Sequence, residues 1–171
     1  LNVFRGFPPN FPAPVLVVQH MPEGFTKAFA ERLNSTSHLS VKEAEDGDRV
    51  QPGRAFIAPG HSHMLLEQHN GDILVRLNQK DKVSGHRPSI DVLFNSAVDV
   101  YREKIVAVIM TGMGRDGADG IARIRTVGGH TIAQNEETSV VYGMNRVAVE
   151  MGAVQDIVSL DDITPTIVKH L

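Results

Sequence analysis

Histidine and aspartate are the side chains in this sequence best suited to moving a proton near neutral pH, and one of each follows an apolar run. His20 comes after Val15-Leu16-Val17-Val18, in the turn Gln19-His20-Met21-Pro22. Asp116 comes after Ile105 to Met110, in Thr111-Gly112-Met113-Gly114-Arg115-Asp116-Gly117. A histidine in such a turn can act as a general base, and an aspartate beside it can fix the ring tautomer and stabilise the imidazolium. Position alone equally allows His20 to be a polar turn residue bonded to backbone. A nucleophile is harder to find. There is no cysteine, and none of the nine serines lies in the G-x-S-x-G elbow that exposes an activated hydroxyl.

Three other patterns invite chemistry. Gly112, Gly114 and Gly117 spell G-x-G-x-x-G between an apolar run and a helical pattern, with Glu136 about 20 residues on, which is the dinucleotide fingerprint. Asp116 weighs against it, because a carboxylate beside the third glycine weakens an anion site at a helix N-terminus. The fingerprint also normally opens its domain, whereas this one falls two thirds of the way along. His61 and His63 at i, i+2 would share a strand face and could hold a metal, but no third ligand stands at suitable spacing, so they read as ordinary strand polar residues. Arg87, in the turn Gly85-His86-Arg87-Pro88, either holds a carboxylate bidentately or is solvated.

The elements that must position these residues follow from apolar periodicity. Leu1 to Phe7 resembles the tail of an amphipathic helix ended by Gly6, and the natural start of the protein is expected upstream. Val15 to Gln19 reads as a strand buried on both faces, and about Gly24 to Leu33 as a helix. Arg54 to Ala58, Met64 to Glu67 and Ile73 to Leu77 are short strands, the last two joined through the hairpin signal Asn70-Gly71. Ser89 caps a helix whose Ile90, Leu93, Phe94, Ala97, Val98 and Tyr101 share one face. Alternation then resumes: strand Ile105 to Met110, helix Asp116 to Val127, strand Thr131 to Ala133, helix Met144 to Met151, strand Val154 to Val158 and a last helix from Ile163 to Leu171. This order predicts a doubly wound α/β fold, a Rossmann-like three-layer α/β/α arrangement on a mostly parallel sheet, with a β-hairpin insertion. Ligands in such folds sit at the carboxyl ends of the strands, which puts the His20 and Asp116 turns on one edge.

The chain of 171 residues is the size of one domain, and 42% hydrophobic residues suffice for a core without disulfides or metal. The absence of cysteine removes thiolate metal sites and suits a reducing cytoplasm. A net charge of −3 with no polybasic run disfavours nucleic acid as a partner. No apolar stretch approaches the roughly 18 to 20 residues of a membrane span.

Four segments together resemble one family. They are Val17-Val18-Gln19-His20-Met21-Pro22, Ser84 to Phe94 with its core Ser84-Gly85-His86-Arg87-Pro88-Ser89, Met110 to Ala118, and Ala133-Gln134-Asn135-Glu136. In this order, over essentially the whole chain, they resemble the catalytic domain of CheB-type protein-glutamate methylesterases of bacterial chemotaxis. The resemblance implies a single methylesterase-like domain over residues 1–171 that hydrolyses glutamate methyl esters on chemotaxis receptors, and deamidates certain receptor glutamines, through a Ser/His/Asp triad. It implies His20 as general base, Asp116 as the acid that orients it, and the backbone N–H of Met113 as oxyanion donor. The family's nucleophile lies in an Ala-Ser-Thr-Gly-Gly motif roughly two dozen residues before the histidine, a position upstream of Leu1, so the chain alone is expected to be inactive. A receiver domain and a histidine kinase are expected partners, the cytoplasm the expected location, and no metal or cofactor is expected. The competing expectations are a non-catalytic module that binds receptor or regulator, and a dinucleotide-binding domain.

Overall fold

A computed structural model describes all residues 1–171. The elements, in chain order, are α1 (Asn2–Arg5), β1 (Val15–Val17), α2 (Phe25–Thr36), β2 (Ser40–Glu43), β3 (Arg54–Ile57), β4 (His63–His69), β5 (Asp72–Asn78), α3 (Ile90–Tyr101), β6 (Val106–Ile109), α4 (Ala118–Thr126), β7 (His130–Gln134), α5 (Met144–Glu150), β8 (Asp156–Val158) and α6 (Ile163–Lys169). None of the helices is long and apolar enough to cross a membrane.

The strands alternate in what they bury, because successive side chains point to opposite faces. In β6, Val106 and Val108 join one cluster with Ile132 of β7, Leu33 of α2 and Ile163 of α6, while Ala107 and Ile109 join another with Ile90, Ile121 and Ala148 of α3, α4 and α5. In β3, Ala55 and Ile57 belong to the first cluster, and Phe56 packs with Met64, Val75 and Leu93 under the hairpin. Helices α1, α2 and α6 therefore cover one face of the strands, and α3, α4, α5 and the β4–β5 hairpin the other. This is the three-layer arrangement that the alternation of elements predicts.

Two features depart from expectation. The parallel strands form two separate sheets, ordered β1-β3-β2 and β6-β7-β8, rather than one. β1 pairs only with β3 and β6 only with β7, so each keeps an unpaired edge. Those edges bound a trough of about 990 Å³ lined by Val15, Val17, Val106 and Val108, which is why β1 is half-exposed rather than buried on both faces. The second departure is β2, which the pattern reading passed over. Its Val41 and the preceding Leu39 are buried and alternate with exposed or half-exposed Ser40 and Lys42, but the run is too short to stand out. The hairpin matches its signal: His69 pairs with Asp72, and Asn70 and Gly71 both take positive φ, as a type I′ turn requires.

Candidate active site

The site is assembled at the N-terminus of α3. Pro88 precedes the helix and Ser89 caps it, its Oγ accepting from the Val92 N–H. The first backbone N–H groups of a helix have no intrahelical acceptor, and here a carboxylate takes two of them. Ile90 N donates to Asp116 Oδ2 at 2.7 Å and Asp91 N to Oδ1 at 3.1 Å, while Ser89 Oγ donates to Oδ1 at 2.8 Å. Asp116 is fully buried. Its burial opposes the charge, yet the hydrogen bonds from His20, Ile90, Asp91 and Ser89 outweigh it and hold the carboxyl below its ordinary range.

The fourth donor is His20. Its Nε2 lies 2.7 Å from Asp116 Oδ2 across 96 residues of sequence, so the turns after β1 and β6 do meet. With Nε2–H donating to the carboxylate, Nδ1 is the ring atom left to accept a proton. The ring of His86 stacks on His20, centroids 3.6 Å apart and planes within 2°. Burial, then the neighbouring His20, pushes the His86 pKa below its usual value against the pull of Asp116.

Met113 stands at the same edge, on a loop that a second loop holds. Gly112 N donates to Val141 O, Met144 N to Gly112 O, and Thr111 Oγ1 to Val141 O. Buried Gln134, at the end of β7, accepts from Thr111 N through Oε1. Gly143 lies so close to the Gly112 carbonyl that no side chain fits there. Met113 is 77% exposed, and its N–H donates to no acceptor in the chain.

Several sequence readings change. His63 is not an ordinary strand residue: it is buried, with Nε2 2.9 Å from the Asp81 carbonyl and Nδ1 accepting from Ser89 N at 3.1 Å. It thereby fixes the residue that caps α3 and bonds Asp116, a role that nothing in its spacing announced. His61 bonds its neighbour Ser62 and shares no ligand geometry with His63. Arg87 holds neither a carboxylate nor open solvent alone; its guanidinium donates to the Gln79 and Lys80 carbonyls. The glycine-rich loop is not arranged for a pyrophosphate, because Asp91 accepts from Gly120 N at 2.8 Å and so occupies the N-terminus of α4. Gly117 is there for conformation, with φ +94° at the start of that helix. No serine hydroxyl of the chain bonds His20; Ser89, the nearest in the network, spends its own on Asp116.

The geometry is that of an oriented base lining the same trough as Met113, whose N–H has no partner in the chain, and its relatives carry the matching chemistry in their names. The profile of the CheB methylesterase family matches residues 1–167. The chain belongs to the CheB methylesterase family. It is 48% identical over 169 residues to a protein-glutamate methylesterase/protein-glutamine glutaminase of Pyrococcus abyssi, covering 99% of this chain and 46% of the relative. A protein-glutamate methylesterase/protein-glutamine glutaminase 2 of Pseudomonas aeruginosa is 47% identical, with 99% and 48% covered. Our CheB-family chain thus spans about half the length of the curated relatives it matches. The crystal structure of the Thermotoga maritima CheB methylesterase catalytic domain superposes with a TM-score of 0.97 at 43% identity, over 99% of this chain and 90% of that one.

Proposed function

We propose that this chain is the catalytic domain of a protein-glutamate methylesterase that hydrolyses γ-glutamyl methyl esters on chemotaxis receptors, releasing methanol, and deamidates receptor glutamines by the same route. The observation that carries the reading is the 2.7 Å bond between His20 and a buried Asp116 that three further donors hold ionised. The names of the relatives supply the substrate class.

In this reading a serine outside the nine of this sequence attacks the ester carbonyl carbon, and its proton passes to His20 Nδ1. Asp116 stabilises the imidazolium through Nε2–H. The tetrahedral oxyanion takes the Met113 N–H, a contribution worth about 2.7 to 4 kcal/mol of barrier in comparable sites. The carbonyl re-forms as the C–OCH₃ bond breaks, and methanol leaves with the proton from His20. Water, deprotonated by His20, then opens the acyl-serine; with a glutamine substrate, ammonia leaves in place of methanol.

The trough between β1 and β6 supports a place for that serine. A strand parallel to both would satisfy both unpaired edges, cover the half-buried valines and end beside His20 and Gly112, which line the same trough. On the strength of the family match, our reading makes the domain cytoplasmic, with a receiver domain and a histidine kinase as partners. The test is methanol release from methylated receptor by a form carrying the serine-bearing strand. We expect activity that His20→Ala abolishes. A folded, strand-complete protein without activity, or one that His20→Ala leaves unchanged while receptor binding persists, makes the domain a non-catalytic binding module instead.

A further inference from the structure

Away from the carboxyl edge of the strands, two histidines and an aspartate converge. His130 opens β7 and Asp156 opens β8, so both lie at the amino ends of their strands, opposite to His20 and Asp116. In the register of these parallel strands Asp156 sits beside Ile132, which shares a face with His130 two residues earlier. Ile132 packs in the cluster with Ile163 and Ile167 of α6. His170 follows Ile167 by three residues, about one turn on, and so continues the apolar face of that helix toward the same spot. Three separate elements thus aim one side chain each at a common point.

We infer that His130, Asp156 and His170 bind one divalent transition-metal ion of the zinc, cobalt, nickel or copper type. The His130 and His170 Nε2 atoms lie 2.6 and 3.4 Å from Asp156 Oδ2, and the three ligand atoms all fall within 4.8 Å of one another. The two rings stack 3.5 Å apart with a 17° tilt, both Nε2 atoms beside the same carboxylate. Because an imidazole lone pair lies in its ring plane, one ring swings out of the stack when both nitrogens take the ion. A tetrahedral ion with bonds of about 2.0 to 2.2 Å wants its donors roughly 3.3 Å apart. The His170–Asp156 separation already meets that. The His130–Asp156 pair opens by about 0.7 Å when the ion replaces the proton between them.

Two imidazoles with one carboxylate suit borderline transition metals, whereas magnesium and calcium require oxygen ligands. Each of the three residues is half-buried, which leaves water to complete the coordination. The ion would clip the end of α6 to the starts of β7 and β8. Because the ligands must be deprotonated, binding releases protons and weakens in acid.

The test is calorimetric titration of the 171-residue chain with Zn²⁺, paired with the visible spectrum of Co²⁺. We expect one ion per chain, a heat that depends on the buffer's ionisation enthalpy, intense tetrahedral Co²⁺ bands and a raised melting temperature. His170→Ala, in the last residues of the chain and outside the core, should weaken binding by at least the ~10- to 100-fold that even a supporting residue is worth. Asp156→Asn should do the same, with circular dichroism unchanged in both. His20→Ala should leave Zn²⁺ affinity where it was. The inference is overturned by no binding at millimolar Zn²⁺, by affinity indifferent to His170→Ala and Asp156→Asn, by loss of binding on His20→Ala, or by equal binding of Mg²⁺.

Discussion

The Asp116 carboxylate accepts four hydrogen bonds, and its replacement separates charge from shape. Asparagine keeps the volume but offers one acceptor oxygen where the carboxylate serves His20, Ser89 Oγ, Ile90 N and Asp91 N. At least one buried donor is orphaned, at about 1 to 3 kcal/mol each. Asp116→Asn should therefore lower stability by that order in urea titrations. In the strand-complete enzyme it should also cut kcat by about 10⁴-fold, because the ring loses its tautomer control. His63→Leu tests the support behind it. Removing the ring strands the Ser89 N–H and the Asp81 carbonyl, so a comparable loss of about 1 to 3 kcal/mol is expected, with kcat falling more than KM changes. His86 gives a pH dependence whose sign is fixed. Its pKa is lower folded than the 6.5 of a free ring, so the unfolded chain binds the proton more readily. Its contribution is complete above about pH 6.5 and is lost as pH falls toward the lower folded value. His86→Phe preserves an aromatic surface on His20 without a titrating group, and should flatten the fall of the urea midpoint between about pH 7 and 5. An unchanged slope would move the acid sensitivity elsewhere.

At the scale of elements, the turns that open helices decide where the site groups stand. Gly24 and Gly117 both begin helices in the left-handed region, at φ +92° and +94°. They differ in surroundings. A Cβ on Gly24 meets nothing within 4 Å, whereas one on Gly117 comes within 2.9 Å of Ile90 and 3.0 Å of Ile109. Gly24→Ala should cost only the backbone conformation, about 1 to 2 kcal/mol. Gly117→Ala should add about 1 to 3 kcal/mol of overpacking, and by pushing on Ile90 should also loosen the start of α3 that grips Asp116. Equal melting shifts in the two variants would show that the crowding relaxes freely. These contrasts mark what the sequence could tell. Periodicity and turn chemistry carried most elements: α3 with its Ser89 cap, the Asn70-Gly71 hairpin, and the alternation from β6 onward. The strand-end rule sent His20 and Asp116 to one edge. What escaped was set by packing between distant segments. β2 is too short to signal itself, His63 looks like any strand histidine until Asp81 and Ser89 close on it, and the His130, Asp156 and His170 grouping exists only through register and helix docking.

For the whole molecule, the deciding feature is a sheet divided by an apolar trough of about 990 Å³. Each bordering strand leaves a row of backbone donors and acceptors unpaired, a template for any extended segment, including one from another copy of the chain. Val15, Val17, Val106 and Val108 are only half-buried although their neighbours Ala55, Ile57 and Ile132 are fully so. All four line the trough. A strand of about five residues spans the length of β1 or β6, and the apolar surface it covers is worth about 25 cal/mol per Å². The 171-residue chain by itself should therefore bind a dye that reports exposed apolar surface and associate as concentration rises in light-scattering measurements. A form with the serine-bearing strand in place should do neither, and should melt several degrees higher, since a domain of this size gains about 2 to 4 °C for each kcal/mol. The same strand would bring its carboxyl end to His20, so stability and activity should return together as the trough is filled. If the strand restores stability while activity stays absent, the trough is a structural seat only and the nucleophile must reach His20 from another direction.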